Sequence, residues 1–416
     1  MSSSLASRRG TVRIKSVATK IGSGKTPTGG AASYVEDGVI FLRSQNIHFG
    51  GLRLENVAHI SHETDRGMSG SRVRVGDVLL NITGASLGRV ALAPHGLGDA
   101  NVNQHVCIIR PMSNVYPGYL AYALESRTGQ DQIFALQVGG NREGLNFEQV
   151  GNLRIPAALS EDQQRVARFL DIETGKLESL LSKKRRLVAL LEERIDSRVL
   201  EAVGTSALVL GEVGSPTLSL RRVLVKTIRP PVSGVDVVTA FRDGQVTGRG
   251  SRRAEGYTLS GSLEPQGQHV RIGDVVIHGL DGFAGAVGVS ESHGNCSPVY
   301  HVCAVRGGGD PHYLGRLLRL LALQGYLGNF ATSTRERAVD FRNWDLFGRI
   351  PIPEVSQCEQ REIGSWITRL QPLREAVKRS AVLVSERRQA LITAAVTGQF
   401  DVSTASGRNV TEGITA

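Results

Sequence analysis

Short apolar runs separated by clusters of Gly, Asn, Asp and Pro fill the first hundred residues. Residues 39–42, 73–82, 89–92 and 106–109 have the length and composition of strands, and the clusters between them those of turns. The pattern returns at 270–277, 286–289 and 299–305. A helical pattern rich in Leu, Tyr and Ala follows each set. It opens at Pro117 and at Asp310-Pro311, where a proline suits the first helical position, and runs to about Gln137 and Phe330.

Two longer amphipathic stretches come next. Ser160-Glu-Asp-Gln163 reads as a capping box, a side-chain oxygen with a reciprocal Gln three residues on. Thr174-Gly175 predicts a break, giving a short helix and then a long one to about Val203. Leu177, Leu180, Leu187, Leu191 and Ile195 follow alternating three- and four-residue steps there, with Lys184 interrupting the seam. The second stretch carries Ile363, Trp366, Leu370, Leu373, Val377, Ala381, Val384, Leu391 and Ala395, with Pro372 near the place of Gly175. Spacing of this kind marks helices that pair lengthwise, most simply antiparallel with each other, as a coiled coil. The alternative is two separate helices, each packed on its own domain. A continuous helix of about 28 residues would span roughly 42 Å. Residues 204–216 read as a connector and those after Val402 as a disordered tail.

Laid side by side, the halves form a duplication. Gly76-Asp77-Val78-Leu79-Leu80 returns as Gly273-Asp274-Val275-Val276-Ile277. His105-Val106-Cys107-Ile108-Ile109-Arg110 returns as His301-Val302-Cys303-Ala304-Val305-Arg306, Pro117-Gly118-Tyr119-Leu120 as Pro311-His312-Tyr313-Leu314, and Arg154-Ile155-Pro156 as Arg349-Ile350-Pro351. The offsets all lie between 194 and 197 residues, far longer than a solenoid period. Two similar surfaces in pseudo-two-fold relation are expected. The boundaries fall at 1–156 and 205–351 for the repeated domains, 157–204 and 352–402 for helical spacers, and 403–416 for the tail. The fold class is α+β, two mixed β-rich domains separated by two long antiparallel coiled-coil helices.

Composition narrows the partner. A net charge of +10 favours a polyanion, because clustered cationic side chains gain affinity by releasing phosphate counterions. There is neither an apolar run long enough for a membrane span nor the apolar stretch of a signal peptide, so the expected location is cytoplasmic. Cys107, Cys296, Cys303 and Cys358 show no CxxC spacing, and Cys107 and Cys303 fall within apolar runs, as buried thiols do.

Catalytic signatures are absent from the sequence. Gly22-Ser23-Gly24-Lys25-Thr26 looks like part of a phosphate loop, but Thr19 stands where the leading glycine belongs and Pro27 follows at once. A surface turn, or a loop whose Lys25 touches a nucleic-acid phosphate, fits better. Zincin, nucleophile-elbow and Cys/His zinc patterns are missing, and Pro230-Pro231 follows Arg229 in place of the Asp or Asn of an adenine methyltransferase. His105 and His301 read as packing residues. Asp77 and Asp274 would matter in a nuclease, whereas the pattern reads them as turn residues before a strand. The chain reads as a recognition protein with no metal and no cofactor of its own.

These features together resemble the specificity subunit of type I restriction–modification systems. The resemblance is carried by Phe41-Leu42-Arg43-Ser44-Gln45-Asn46-Ile47, residues 76–84, Asn101-Val102-Asn103-Gln104-His105-Val106 and 145–203, then by 273–289, 299–305 and 341–400. It implies two target-recognition domains, each reading half of a split DNA sequence, with the helices as a ruler and a dock. The implied partners are double-stranded DNA, two adenine-methyltransferase subunits, and restriction subunits that translocate and cleave. S-adenosylmethionine, ATP and Mg are expected on those partners. Alternatives are the specificity component of another phage-defence complex and a stand-alone DNA-binding regulator.

Asn and Gln can pair with adenine edges and Arg with guanine, while other cations hold phosphates. Candidate DNA contacts in the first half are Lys25, Arg43, Ser44, Gln45, Asn46, Asn81, Thr83, Arg89, Asn101, Asn103, Gln104, Asn141 and Arg142. In the second they are Arg242, Arg249, Arg252, Arg253, His278, Tyr300, Arg335 and Arg337. The halves differ at these positions, so the target should be asymmetric. Lys183-Lys184-Arg185-Arg186 could face the DNA backbone or solvent, and partner docking should use apolar residues left over from the helical seam.

Overall fold

In a computed structural model, residues 10–137, 144–204, 217–252, 267–330, 334–335, 338–399 and 401–402 are described. The chain divides into two compact units, residues 1–183 with 380–416, and residues 184–379. Each unit therefore holds one sheet-rich domain and half of each long helix. The proposed connector at 205–216 and tail at 403–416 lie outside the described residues, apart from Gly204.

In the first unit an antiparallel sheet runs in the order Ala18–Ser23, Val106–Pro111, Val78–Asn81, Val90–Leu92. A second sheet places Val39–Leu42 between Ala58–Ile60 and Ala100–Val102, pairing in parallel with the latter. Helix Pro117–Glu125 packs its buried Tyr119, Leu120 and Leu124 on the first sheet. It stops at Ser126, whose hydroxyl caps a separate helix, Arg127–Ala135, by accepting from the Gly129 N–H. The single helix expected to Gln137 is thus two.

The second unit repeats the sheet, in the order Leu224–Lys226, Tyr300–Val305, Val275–His278, Val287–Val289. Helix Pro311–Leu323 lies on it, capped by Asp310, and a 3-10 turn Leu327–Phe330 follows. Gly76 and Gly273 both have φ near +85 to +90°, a left-handed turn that favours glycine. The next residue is buried in each case. Asp77 accepts from the Arg74 N–H and Asp274 from the Arg271 N–H, so both are turn residues before a strand.

The register corrects the repeat in two places. Asn81 faces Val106 in the first sheet, and its counterpart His278 faces Tyr300 in the second. The last strand is thus offset by 194 residues while its neighbour is offset by 197. His301 is the counterpart of Cys107, not of His105, and Cys303 is the counterpart of Ile109. A shift of two residues keeps every side chain on its face, so the core tolerates it. It does move Arg110, which binds Asp77 at 2.7 Å; in the second unit Arg229 binds Asp274 instead, from a different segment. Likewise Arg154–Pro156 pairs with Thr11–Arg13, and Pro351–Pro353 with Thr217–Ser219. The counterpart of Arg154-Ile155-Pro156 is therefore Pro351-Ile352-Pro353.

The long helices, Ser160–Val203 and Gln357–Thr397, are each continuous. Gly175 and Pro372 do not break them. An interior glycine costs about 1 kcal/mol and a proline about 3, sums that a long packed helix absorbs. The continuous central helix of 44 residues is about 66 Å long, more than the sequence suggested. Gln163 does not close a capping box. Its amide accepts from the Tyr116 N–H and donates to the Ala158 carbonyl, tying helix to domain, and Gln360 does the same with Asp310 and Val355. In the second unit the helix halves run antiparallel, with Arg198 on Glu362 and Glu192 on Arg374. Leu177, Leu181 and Ile195 turn inward, whereas Leu180, Leu187 and Leu373, expected in the seam, are exposed. Among the described residues no helix is long and apolar enough to cross a membrane.

Cys107, Cys296 and Cys303 are buried and free, and Cys358 is exposed. Burial pushes the thiols of Cys107 and Cys296 up to about 12, and that of Cys303 up as well.

Candidate nucleic-acid interface

The parallel strands Val39–Leu42 and Ala100–Val102 end side by side, so the loops that follow them meet at one end of the first domain. The Asn103 N–H donates to the Leu42 carbonyl, and the Gly24 N–H donates to the Asn103 carbonyl. A Cβ on Gly24 would lie 1.6 Å from the Val102 carbonyl oxygen, so glycine is required there for backbone packing. The adjoining Lys25 is exposed, and no full helix follows it, which removes the phosphate-loop reading. The Asn81 side chain joins this end to the main sheet by donating to the Ser44 carbonyl at 2.8 Å.

Two kinds of residue meet here. Asn46, Asn81, Asn101 and Asn103 are buried. Asn46 accepts from the Arg43 N–H and donates to the Arg53 carbonyl. Asn101 donates to Asp65 and the Met68 carbonyl and accepts from Ser71 and the Val102 N–H. These asparagines hold the loops from within, while the buried Oδ1 of Asn81 has no partner among the described residues. The outer layer is Lys25, Gln45 and Gln104, exposed, with Arg43, Ser44, Thr83 and Arg89 half-buried. Arg43 lies 5.4 Å from the Tyr34 ring centroid, and its Nε has no protein partner among the described residues.

A surface chain of hydrogen bonds, Thr26 to Gln104 to His105 to Thr83, orders this layer; the last link is 2.6 Å. His105 is half-buried and bonded to Gln104 and Thr83 in this layer, and the register slip breaks its likeness to His301. Its adjacency to Gln104 was the available signal. His301 does pack: it is buried, bonds the Phe341 carbonyl through Nε2 at 2.6 Å and lies 5.6 Å from the Phe347 ring.

The second domain offers a different surface at the same sheet end. His278 stands where the first domain has Asn81, and Tyr300 where it has Val106. The two rings meet edge to face at 4.5 Å. Nδ1 of His278 accepts from the Leu280 and Asp281 N–H groups, and burial lowers its pKa, so the ring is neutral near pH 7. Tyr300 is buried, which pushes its hydroxyl up to about 12. Arg242 pairs with Asp281 at 3.0 Å. Arg252 pairs with Asp243 at 2.9 Å and sits 4.2 Å above the Phe241 ring. Arg249 lies half-buried in the 3-10 turn between them. Asn141, Arg142, Arg253 and Arg337 lie outside the described residues, as does the side chain of Arg335.

Residues 11–185 match the family described as Type I restriction modification DNA specificity domain. Over 138 residues the chain is 27% identical to the Type I restriction enzyme EcoBI specificity subunit of Escherichia coli, covering 33% of this chain and 29% of that subunit. The match therefore spans under a third of the relative's length. A solved chain described as "Structural basis underlying complex assembly and conformational transition of the type I R-M system" aligns over 95% of this chain and 99% of its own. It does so with a TM-score of 0.52 and 19% identity, a likeness of fold alone. The HsdS subunit from Thermoanaerobacter tengcongensis aligns over 95% and 98%, at 18% identity and a TM-score of 0.41. The matched residues lie almost wholly in the first unit, and the second unit repeats its sheet order. The likeness to the type I restriction–modification specificity family thus rests on the first 185 residues.

Proposed function

We propose that this chain is the DNA-reading, non-catalytic subunit of a type I restriction–modification enzyme. Each domain reads one half of a split, asymmetric target. The observation that carries this reading is the specificity-domain match over residues 11–185, joined to a second domain of the same sheet order with a different set of side chains at the same sheet end. Lys25, Arg43, Gln45, Gln104 and His105 would meet one half-site. Arg249 would meet the other, with Arg242 and Arg252 after they exchange Asp281 and Asp243 for phosphates or base edges. The long helices would dock two methyltransferase subunits, with restriction subunits added outside them. The exposed Leu187, Leu190, Val382 and Leu383 suit that docking, since apolar residues this exposed on a helix gain by being covered. Methyl transfer, with S-adenosylmethionine, and ATP-driven cleavage, with Mg, would belong to those partners.

The test is a genome-wide map of methylated adenines with the gene present and deleted. Loss of a single split motif with unlike halves on deletion supports the reading. An unchanged map in a strain that expresses the methyltransferase overturns it and favours a stand-alone regulator.

A further inference from the structure

Where each domain meets its long-helix halves, the fold places a triad of charged side chains, and the two triads have opposite sign. In the first unit Glu125, on the domain helix, bonds Arg388 of the C-terminal helix, which also holds Glu178 of the central helix at 2.9 Å. In the second unit Arg316, on the domain helix, bonds Glu192 of the central helix at 2.6 Å. Glu192 also holds Arg374 of the C-terminal helix at 3.1 Å, and Asp196 adds a bond to Arg316 at 2.5 Å. Reading domain helix, far helix half, near helix half, the signs are minus, plus, minus in one unit and plus, minus, plus in the other.

The far corners are equivalent by the repeat, the near corners are one residue apart, and the domain-helix corners lie one helical turn apart. Arg388 precedes buried Leu391 by three residues, and Glu192 precedes buried Ile195 by three; Ala395 and Val199 follow four residues later, both buried. Counting from Pro117 and Pro311, Glu125 stands in the place of Arg319, and Tyr122 in that of Arg316. Glu178 stands one position from Arg374 when the near halves are aligned on Gln163 and Gln360. Glu125, Arg388 and Arg316 each expose less than a tenth of their surface, while Glu192 and Arg374 are partly exposed and Glu178 faces solvent. There, a wrong partner would place like charges together with reduced solvent screening.

We propose that the inverted triads are a matching code: each pair of helix halves accepts its own recognition domain and rejects the other's. A domain like the first, set on the second platform, would put its glutamate in the place of Arg319, one helical turn from Arg316, where Glu192 and Asp196 exert their charge. A domain like the second, set on the first platform, would bring arginine against Arg388. The code works independently of the DNA each domain reads, and fixes which half-site is assigned to which platform.

Two experiments on the full-length chain test this, both read by thermal unfolding and by retention of soluble protein. In the first, Glu125→Arg should lower Tm clearly more than Glu125→Gln. The full inversion Glu125→Arg, Arg388→Glu, Glu178→Arg should recover most of the loss. If Glu125→Arg fails to fold, Arg388→Glu against Arg388→Gln makes the same comparison, and the triple variant reports rescue. Equal effects of reversal and neutralisation, or no recovery in the triple variant, overturn the proposal. In the second, residues 11–156 replace 217–353, so that both platforms carry the first domain. This chain should gain stability from Glu192→Arg, which in the native chain must cost stability. A chimera indifferent to that change overturns the code even if each ion pair stabilises its own unit.

Discussion

At the scale of single residues, the candidate interface separates buried groups that hold the loops from outer groups to which the proposal assigns reading. Asn101 is the clearest holder, with all of its side-chain capacity committed to Asp65, Met68, Ser71 and Val102. Asn101→Ala leaves these buried partners short and should cost about 1–3 kcal/mol. Urea unfolding would measure it, and the methylated motif should keep its sequence. Gln104→Ala should behave inversely, with stability within about 0.5 kcal/mol of the parent and relaxed selectivity at one position of one half-site. Titration separates the triads too. Burial pushes Glu192 up, but Arg316 and Arg374 outweigh it and hold the carboxyl below its ordinary 4.5. A depressed folded value gives stability that is present above pH 4.5 and is lost as pH falls through the folded value. Glu192→Gln should therefore lower stability at pH 7 and flatten the acid limb of the stability–pH curve. Glu125 titrates the other way, since burial raises it despite Arg388, so acidification should strain the second junction more than the first.

At the scale of elements, Gly175 shows how far a long helix can override a local preference. A Cβ there would meet no atom within 4 Å, and the helix runs straight on. Gly175→Ala should stabilise the chain by about 0.5–1 kcal/mol in denaturant unfolding without altering recognition; destabilisation would show that the position needs its missing side chain. The helix was legible in its apolar spacing, its continuity was not, because propensity is local while packing is not. The seam was misread for a related reason. A spacing of three and four fits both Leu180 and Leu181, and Leu181 is the buried one. The duplication was legible because Gly-Asp turns and Pro-led helices are punctuation that sequence displays directly. The two-residue slip was not, since strand register depends on the length of intervening loops. Side-chain candidates suffered most. Polar residues clustered between strands mark a loop, but which of them point into it, as the four asparagines do, is settled by hydrogen bonding across segments up to 37 residues apart.

For the molecule as a whole, the division into two units gives each sheet-rich domain its own core and its own charged fastening, so one domain can diverge without unsettling the other. The exchange of Arg110 for Arg229 at the same carboxylate position shows such divergence with the fold kept. The cysteines give this architecture a practical handle. Three thiols lie in the cores and resist deprotonation, while Cys358 stands exposed in the first turn of the C-terminal helix. A maleimide dye should attach once per native chain and four times after denaturation, counted by intact mass. Two additions to the native protein would mean that one core opens on the labelling timescale. One dye at a known helix start turns the chain into its own reporter, so that arrival of each partner could be followed as a change of colour or polarisation without engineering a residue.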